Sequence, residues 1–593
     1  MSTQTATKTT PLGPLRLYAC SILIGVVAAC GAVLFRGLIA FFHNLLFLGF
    51  ISFAYEANVH TPPSPWGPFV ILVPVLGAVG VAFLVSNFAP EAKGHGVPEV
   101  MDAVYYGRGV VRPVVALIKS LASALSIGSG GAVGREGPII QIGSSFGSTL
   151  GQILRVPGWQ RITLIAAGAG AGIAATFNTP IGGVLFAVEI MLHEVSARTL
   201  VPVTIATVTA AYVGRLFFGS HPAFEIPDFQ TPDFHPTNAY VMLLFVGLGL
   251  LTGLVSVAYI RSIYAFEDFF DKWIPRSYYL RHMFGMLLVG IIMYVLFATT
   301  GHYYVQGVGY ATVQDVLSGQ LSWFLLALFA LKLLATSLTL GSGASGGVFS
   351  PALFMGATLG GVFGLAAQQL FPTLPIHPAA FAVAGMAGVV GGSTGAAITA
   401  VVMIFEMTLD YRVVIPMTIT VALSYGIRTL IQPRSIYTLK LARRGHPIPD
   451  ALQANLLHLK RTGEIMDTQF VAVPADGKIA DFIRIALERP DVSCFPVEGP
   501  EGLVGFLTRD SALRPAAPEE DHVCLADLAD KRFIMVDKAT PLLDVVKSMH
   551  IAGASVALVT DRSGNVTGSP IMGLITKHQI ANAVLEGMEL FFD

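Results

Sequence analysis

The sequence predicts an all-α polytopic membrane domain, built as two inverted repeats of broken and tilted helices, followed by a C-terminal α/β tail. Three observations carry this. Of the 593 residues 53% are hydrophobic and only 12% charged, with a mean hydropathy of +0.67, whereas a soluble domain carries about a quarter charged residues. The membrane region repeats itself at an offset of 213 residues, and beyond about Asp450 the pattern changes to short β-branched runs alternating with amphipathic stretches.

The first 449 residues alternate long apolar runs with brief polar breaks: Cys20–Phe53, Phe69–Phe88, Val114–Ile127, Ile162–Met191, Leu200–Phe218, Ala239–Tyr259, Met283–Thr299, Trp323–Leu340, Ala379–Phe405 and Val413–Leu430. Some exceed the ~20 residues that cross a bilayer and others fall short or are cut by Gly and Pro, which is the signature of broken helices. Ser21 to Phe42 lacks a small-residue cleavage pattern and reads as a retained span. Arg434, Lys440, Arg443 and Arg444 directly follow the last run, and Lys8 and Arg16 precede the first. Both termini are therefore expected in the cytoplasm, with the chain in the cell (inner) membrane.

The net charge of −1 and pI near 6.9 supply no basic field for nucleic acid. Cys20, Cys30, Cys494 and Cys524 are scattered without metal-ligand spacing and read as packing residues. No metal is expected.

The repeat pairs Gly128-Ser129-Gly130 with Gly341-Ser342-Gly343, Gly134 with Gly347, Pro138 with Pro351, Gly143 with Gly356 and Gly147 with Gly360. Upstream, Lys119, Leu121, Ala122 and Leu125 match Lys332, Leu334, Ala335 and Leu338, and at a drifted offset of 217 Glu189 matches Glu406. The repeats span roughly residues 68–218 and 281–431. Each copy is a Gly-rich break, a Pro and a small-residue helix. Pro suits a first helical turn, where its missing N–H is not needed, so helices begin inside the membrane with free N–H groups and a positive dipole end. Exposed amides there must face protein, water or an ion, and an anion is the natural occupant. The plainer alternative is that these glycines only let helices pack closely.

The segments Gly134-Arg135-Glu136-Gly137-Pro138, Gly347-Val348-Phe349-Ser350-Pro351 and Gly94-His95-Gly96-Val97-Pro98, with Tyr437 after the last span, resemble the CLC family of chloride channels and chloride/proton exchangers over essentially the whole chain. The resemblance implies a homodimer with one pore per subunit between inverted halves. It assigns Glu136 as the gating carboxylate, competing with the anion for a site of backbone amides around Arg135 and Gly137. It gives the central anion the His95-Gly96 motif, the amides of Val348 and Phe349 and the Tyr437 hydroxyl. An ionisable residue in such a broken intramembrane segment is functional by default; a surface pair of Glu136 with Arg135 is the bland alternative.

Two departures from the family pattern matter in the membrane region. His95 stands where the family usually has Ser, so an imidazole replaces a hydroxyl and is expected to make permeation pH-sensitive. Exchangers usually carry two adjacent acids where this chain has Glu189-Ile190, which removes the internal proton-transfer carboxylate. Glu189 then reads as structural, and Glu194, a turn further, as a substitute through water. This favours passive, channel-like chloride conduction gated by Glu136, with proton-coupled exchange as the alternative.

In the tail, residues 450–593, Val504-Gly505-Phe506-Leu507-Thr508 and Met572-Gly573-Leu574-Ile575-Thr576 close two halves of strand, helix, strand, strand order that resemble a tandem pair of CBS domains. Nucleotide-binding pairs carry an Asp three residues after the closing Thr; here Ser511 and Gln579 stand there and Asp510 is displaced by one. No cofactor is expected, and the tail reads as a dimer contact that adjusts gating. An enzyme is not expected: Gly343-Ala344-Ser345-Gly346 matches an intramembrane serine protease motif only weakly, and the one downstream His of the membrane region, His377, sits in a Pro-rich loop.

Overall fold

The computed structural model describes residues 10–192, 196–220, 222–226, 238–275, 277–448, 460–500, 502–512, 523–560 and 571–583. The chain divides into two compact units, Met1–Ile448 and Pro449–Asp593.

The first unit is helical. After α1 (Pro14–His43), the first repeat contains α2 (Val73–Asn87), α3 (Val97–Tyr105), α4 (Pro113–Gly128), α5 (Glu136–Ile153), α6 (Gly158–Phe177), α7 (Pro180–Phe186) and α8 (Ala197–Phe218). A long α9 (Ala239–Trp273) leads to the second repeat: α10 (Tyr278–Thr300), α11 (Tyr310–Leu317), α12 (Phe324–Ser342), α13 (Phe349–Leu370), α14 (Pro378–Thr394), α15 (Ala397–Thr408) and α16 (Val414–Ile431), with α17 (Ile436–Arg443) last. Each of α2 to α8 has its counterpart, in order, among α10 to α16. Eight described helical segments are long and apolar enough to cross a membrane, and α4, α7 with its continuation, α14 and α15 are shorter apolar pieces. The chain is a multi-pass membrane protein.

Two expected spans are in fact pairs of helices. The run Ile162–Met191 breaks at Asn178 (φ +60°) and Ala379–Phe405 at Gly395 (φ +81°), equivalent positions at the 217 offset. Both residue types tolerate the left-handed conformation that ends a helix. The run Cys20–Phe53 likewise ends early, α1 passing into a π-helical turn at Asn44–Leu48 closed by Gly49 (φ +75°).

Close packing accounts for some of the repeated glycines. A Cβ on Gly143 would strike the Gly168 backbone, and one on Gly356 would strike that of Gly385. The α5/α6 and α13/α14 pairs therefore touch through equivalent glycines, as small residues permit in membranes. Close packing explains Gly143, Gly147, Gly356 and Gly360, whereas Gly134 and Gly347 do something else.

In the second unit β1 (Val473–Pro474), β2 (Cys494–Gly499) and β3 (Gly502–Thr508) form one sheet, and β4 (Phe533–Asp537), β5 (Val556–Thr560) and β6 (Ile571–Thr576) another. Each sheet has a parallel then an antiparallel pairing, with a helix, Ile479–Glu488 or Leu542–Ala552, before its middle strand. The halves are intertwined. Asp467 exchanges backbone hydrogen bonds with Leu574 of the second sheet (2.8 and 2.9 Å), and Asp530 with Phe506 of the first (2.9 and 3.1 Å). Strand β2 escapes sequence reading because Pro496 and Gly499 interrupt its apolar pattern. Cys494 packs with Phe506, Val556, Leu558 and Leu574, and burial pushes its thiol up to about 12, the state of an inert packing cysteine.

Candidate anion-binding site

The lead-in loops to α5 and α13 meet each other. Gly134 N–H donates to Gly347 O at 2.7 Å and Gly347 N–H to Gly134 O at 2.6 Å, an antiparallel bridge. Gly134 and Gly347 are equivalents at the 213 offset, and a residue pairs antiparallel with its own counterpart only across a local two-fold axis. The repeats are therefore inverted about an axis passing between these glycines. Each loop leaves its preceding helix through a glycine of positive φ, Gly130 (+105°) and Gly343 (+114°), a conformation costly to any side chain with a Cβ.

From the bridge the chain turns into α5, with Arg135 at its N-cap, and α13, with Val348 at its N-cap; neither cap side chain bonds the helix. Pro138 and Pro351 fill the third helical position, where no N–H is available. The first amides are thus left to bind something else. In α13 that partner is the Glu136 side chain, whose Oε2 accepts the Ser350 N–H at 3.2 Å. Its Oε1 accepts the Tyr310 hydroxyl at 2.7 Å and the Ser350 hydroxyl, and the two hydroxyls lie 2.8 Å apart.

The Glu136 carboxylate, 1% exposed, thus sits where a helix N-terminus would hold an anion. It has no cation of its own among the described residues. Arg135 instead stacks its guanidinium over Tyr310 (5.1 Å) and Phe177 (5.7 Å), so the surface ion pair of these neighbours does not form.

The first motif docks beside this site. Gly94 N–H donates to Ala344 O (2.9 Å) and Gly346 N–H to Gly94 O (3.2 Å). Gly96 (φ +82°) and Gly137 abut so closely that a Cβ on Gly137 would run into the His95 carbonyl. His95 is buried, its Nδ1 has no hydrogen-bond partner, and its ring lies 6.0 Å from that of Tyr437. A capping box between Ser435 and Thr438 starts α17 and fixes Tyr437 in its first turn. Two tyrosines of α9 hold these pieces: Tyr259 donates to Val348 O (2.9 Å) and Tyr264 to Ile436 O (2.5 Å). The structure therefore gathers Gly96, Gly137, His95, Val348, Phe349 and Tyr437 about one locus, next to Glu136.

Sequence reasoning missed Tyr310, Ser350 as a partner of Glu136, Tyr259 and the two buried lysines. Lys119 Nζ donates to Ala92 O (3.0 Å) and Gly94 O (2.7 Å), and Lys332 Nζ to Val305 O (2.8 Å) and Gly307 O (2.9 Å). Donor and both acceptors obey the 213 offset, so Gly307-Val308-Gly309-Tyr310 is the degenerate copy of Gly94-His95-Gly96-Val97. Carrying the offset upstream of Lys332 is the signal that finds Tyr310. Each lysine clamps the loop whose next residues reach the site: His95 in one copy, Tyr310 in the other.

Glu189 and Glu406 cap each other's repeats. Glu189 accepts the amides of Ile398 (3.2 Å) and Thr399 (2.8 Å) and the Thr399 hydroxyl (2.6 Å) at the start of α15, while Glu406 accepts those of Ile181 (3.1 Å) and Gly182 (2.7 Å) at the start of α7. A carboxylate holding three donors at a helix start is a structural cap, the structural role that the sequence gives Glu189. Glu194 lies outside the described residues. Ser345 is likewise committed, donating to Ala92 O (2.6 Å) beside Ser123 Oγ (2.8 Å), so it is no free nucleophile.

The tail position where a ribose-binding Asp is usual is also used internally. Gln579 Oε1 accepts the Thr576 N–H (3.1 Å) and its amide donates to Asp467 (3.3 Å).

Residues 77–429 match the family model described as voltage gated chloride channel, and residues 463–516 match that of the CBS domain. The H(+)/Cl(-) exchange transporter ClcA of Yersinia pseudotuberculosis is 32% identical over 391 residues, covering 65% of this chain and 80% of that protein. The solved structure of a slow cyanobacterial Cl-/H+ antiporter matches with TM-score 0.62 and 25% identity over 73% of this chain and 98% of the other. A eukaryotic CLC transporter shares the fold over 95% of this chain and 98% of its own length, with TM-score 0.60 and 20% identity.

Proposed function

The chain belongs to the voltage-gated chloride channel family, and on that premise we propose that it moves chloride across a membrane in exchange for protons, with the Glu136 side chain alternating with the anion at the start of α13. The observation that carries this reading is the bond from the Ser350 amide to the Glu136 carboxylate. An ionised carboxylate and a halide compete for the Ser350 amide at the start of α13, and protonation takes away the charge that holds the side chain there. The central anion is assigned to the amides of Val348 and Phe349, the Tyr437 hydroxyl and the His95-Gly96 segment, with the backbone around Arg135 and Gly137 forming the outer part. Neutral donors bind a halide firmly enough to select it and loosely enough to release it.

Exchange is preferred over passive conduction because the Yersinia relative and the cyanobacterial structure are both described as proton-coupled. This reverses the order expected from sequence. Conduction remains the second reading on one observation, Ile190, which is buried next to Glu189 where exchangers usually have an acid. Exchange then requires that water carry protons to Glu136. The functional unit is proposed to be a homodimer in the cell membrane with both termini cytoplasmic, and the tail to adjust gating without nucleotide.

Paired chloride and proton fluxes in liposomes decide between these. Exchange predicts uphill proton movement driven by a chloride gradient, abolished in Glu136→Gln. Brisk chloride efflux with no proton movement replaces exchange by conduction, and no chloride movement refutes both.

A further inference from the structure

On the Tyr310 side of the gate lies a cavity of about 510 Å³, lined by Arg36, Arg135, Arg215, Glu56, Phe177 and Tyr310 among others. On a measure where about 10–15 Å³ holds one water, this is far more room than one halide needs. Three guanidiniums from α1, the α5 cap and α8 face one space, and each is positioned by something other than a carboxylate. Arg36 stacks 4.1 Å over Phe218, Arg135 stacks over Tyr310 and Phe177, and Arg215 Nε donates to Asn178 Oδ1 at 2.6 Å. Among the described residues none of the three makes an ion pair. The acids of the lining, Glu56 and Glu225, are exposed, leaving an excess of one positive charge.

Arg135 adds an independent sign. Its side chain is more than nine-tenths buried, yet its Nε has no hydrogen-bond partner. Buried charged donors rarely go unsatisfied. Guanidinium forks match two oxygens of one anion, a geometry that a spherical halide cannot use and an oxyanion can.

We infer that this cavity is a binding site for a small polyatomic oxyanion of the sulfate, phosphate or carboxylate kind, held by Arg36, Arg135 and Arg215, and that its occupant obstructs the approach to Glu136. The obstruction rests on the transport reading above; the binding does not. Three converging guanidiniums favour a tetrahedral dianion over a monocarboxylate.

Calorimetric titration of the purified full chain with sulfate, phosphate or acetate at fixed chloride tests the site. Sulfate or phosphate should bind more tightly than acetate, and Arg36→Gln and Arg215→Gln should each weaken binding by about tenfold or more, about 1.4 kcal/mol. Arg36→Lys, which keeps charge but loses the fork, should restore only part. Melting curves identify a variant that fails to fold, in which case the exposed Arg215 change alone decides. In liposomes, external sulfate should slow chloride efflux of the parent, and less so in both variants, each measured as a fraction of its own sulfate-free rate. No binding by the parent at tens of millimolar sulfate, or equal affinity in parent and variants, overturns the site. Binding that needs the arginines in a protein that moves no chloride upholds the site and removes the transport reading instead.

Discussion

Replacing Tyr310 by Phe removes one O–H from the Glu136 carboxylate and leaves the ring in place, where it packs edge-on to Phe224 with centroids 5.2 Å apart and under the Arg135 guanidinium. A hydrogen bond to a charged group contributes about 1.5–3 kcal/mol. Ser350 keeps its own hydroxyl and amide bonds to the carboxylate, so the loss should lie at the lower end, near 1.5 kcal/mol. At about 1.4 kcal/mol per decade, the seated carboxylate then loses about tenfold of its advantage. Chloride competes for the Ser350 amide without using the Tyr310 hydroxyl, so its equilibrium affinity, measured calorimetrically, should tighten by up to about tenfold in Tyr310→Phe. In a Glu136→Gln background the same change should have little effect, because the charge it supports is gone; the difference between the two backgrounds isolates the coupling. Chloride affinity that is unchanged or weaker in Tyr310→Phe, or an equal effect in both backgrounds, refutes the reasoning.

Other consequences follow from the same geometry. Glu189→Gln and Glu406→Gln each weaken a charged cap that joins the repeats, and each should lower stability by about 1–3 kcal/mol, read as a drop in melting temperature; because Glu189 is a cap, its variant should keep the parent's ratio of protons to chloride. His95→Ser should change halide preference by exchanging an imidazole N–H for a hydroxyl, and a preference identical to the parent's shows that His95 does not face the ion. Since Gln579 is already bonded to Thr576 and Asp467, ATP and AMP should leave the melting temperature of the full chain unmoved, and a saturable upward shift contradicts that.

The Gly/Pro breaks, the 213-residue register and the position of Glu136 were legible in the sequence because backbone conformation dictates residue type there. Gly130 and Gly343 must be glycine at φ beyond +100°, and Pro138 and Pro351 sit where an N–H is dispensable. The partners of Glu136 were hidden because any residue type able to offer a hydroxyl serves, and Tyr310 occupies the position that Val97 fills in the other copy. The partners of Glu189 were hidden for a related reason. An acid in a membrane helix looks the same in sequence whether it relays a proton or caps a distant helix, and only the amides of Ile398 and Thr399 distinguish the two. The interruption of two apolar runs at Asn178 and Gly395 was overlooked because hydropathy does not fall where the backbone reverses.

The central claim is that the opposed starts of α5 and α13 hold an anion where the Glu136 carboxylate now sits. Bromide anomalous diffraction from crystals of Glu136→Gln tests it directly. The account predicts a bromide peak within hydrogen-bonding reach of the Ser350 amide, weaker or absent at the same place in the parent. Bromide bound elsewhere in the protein, with nothing between the two helix starts, would contradict it.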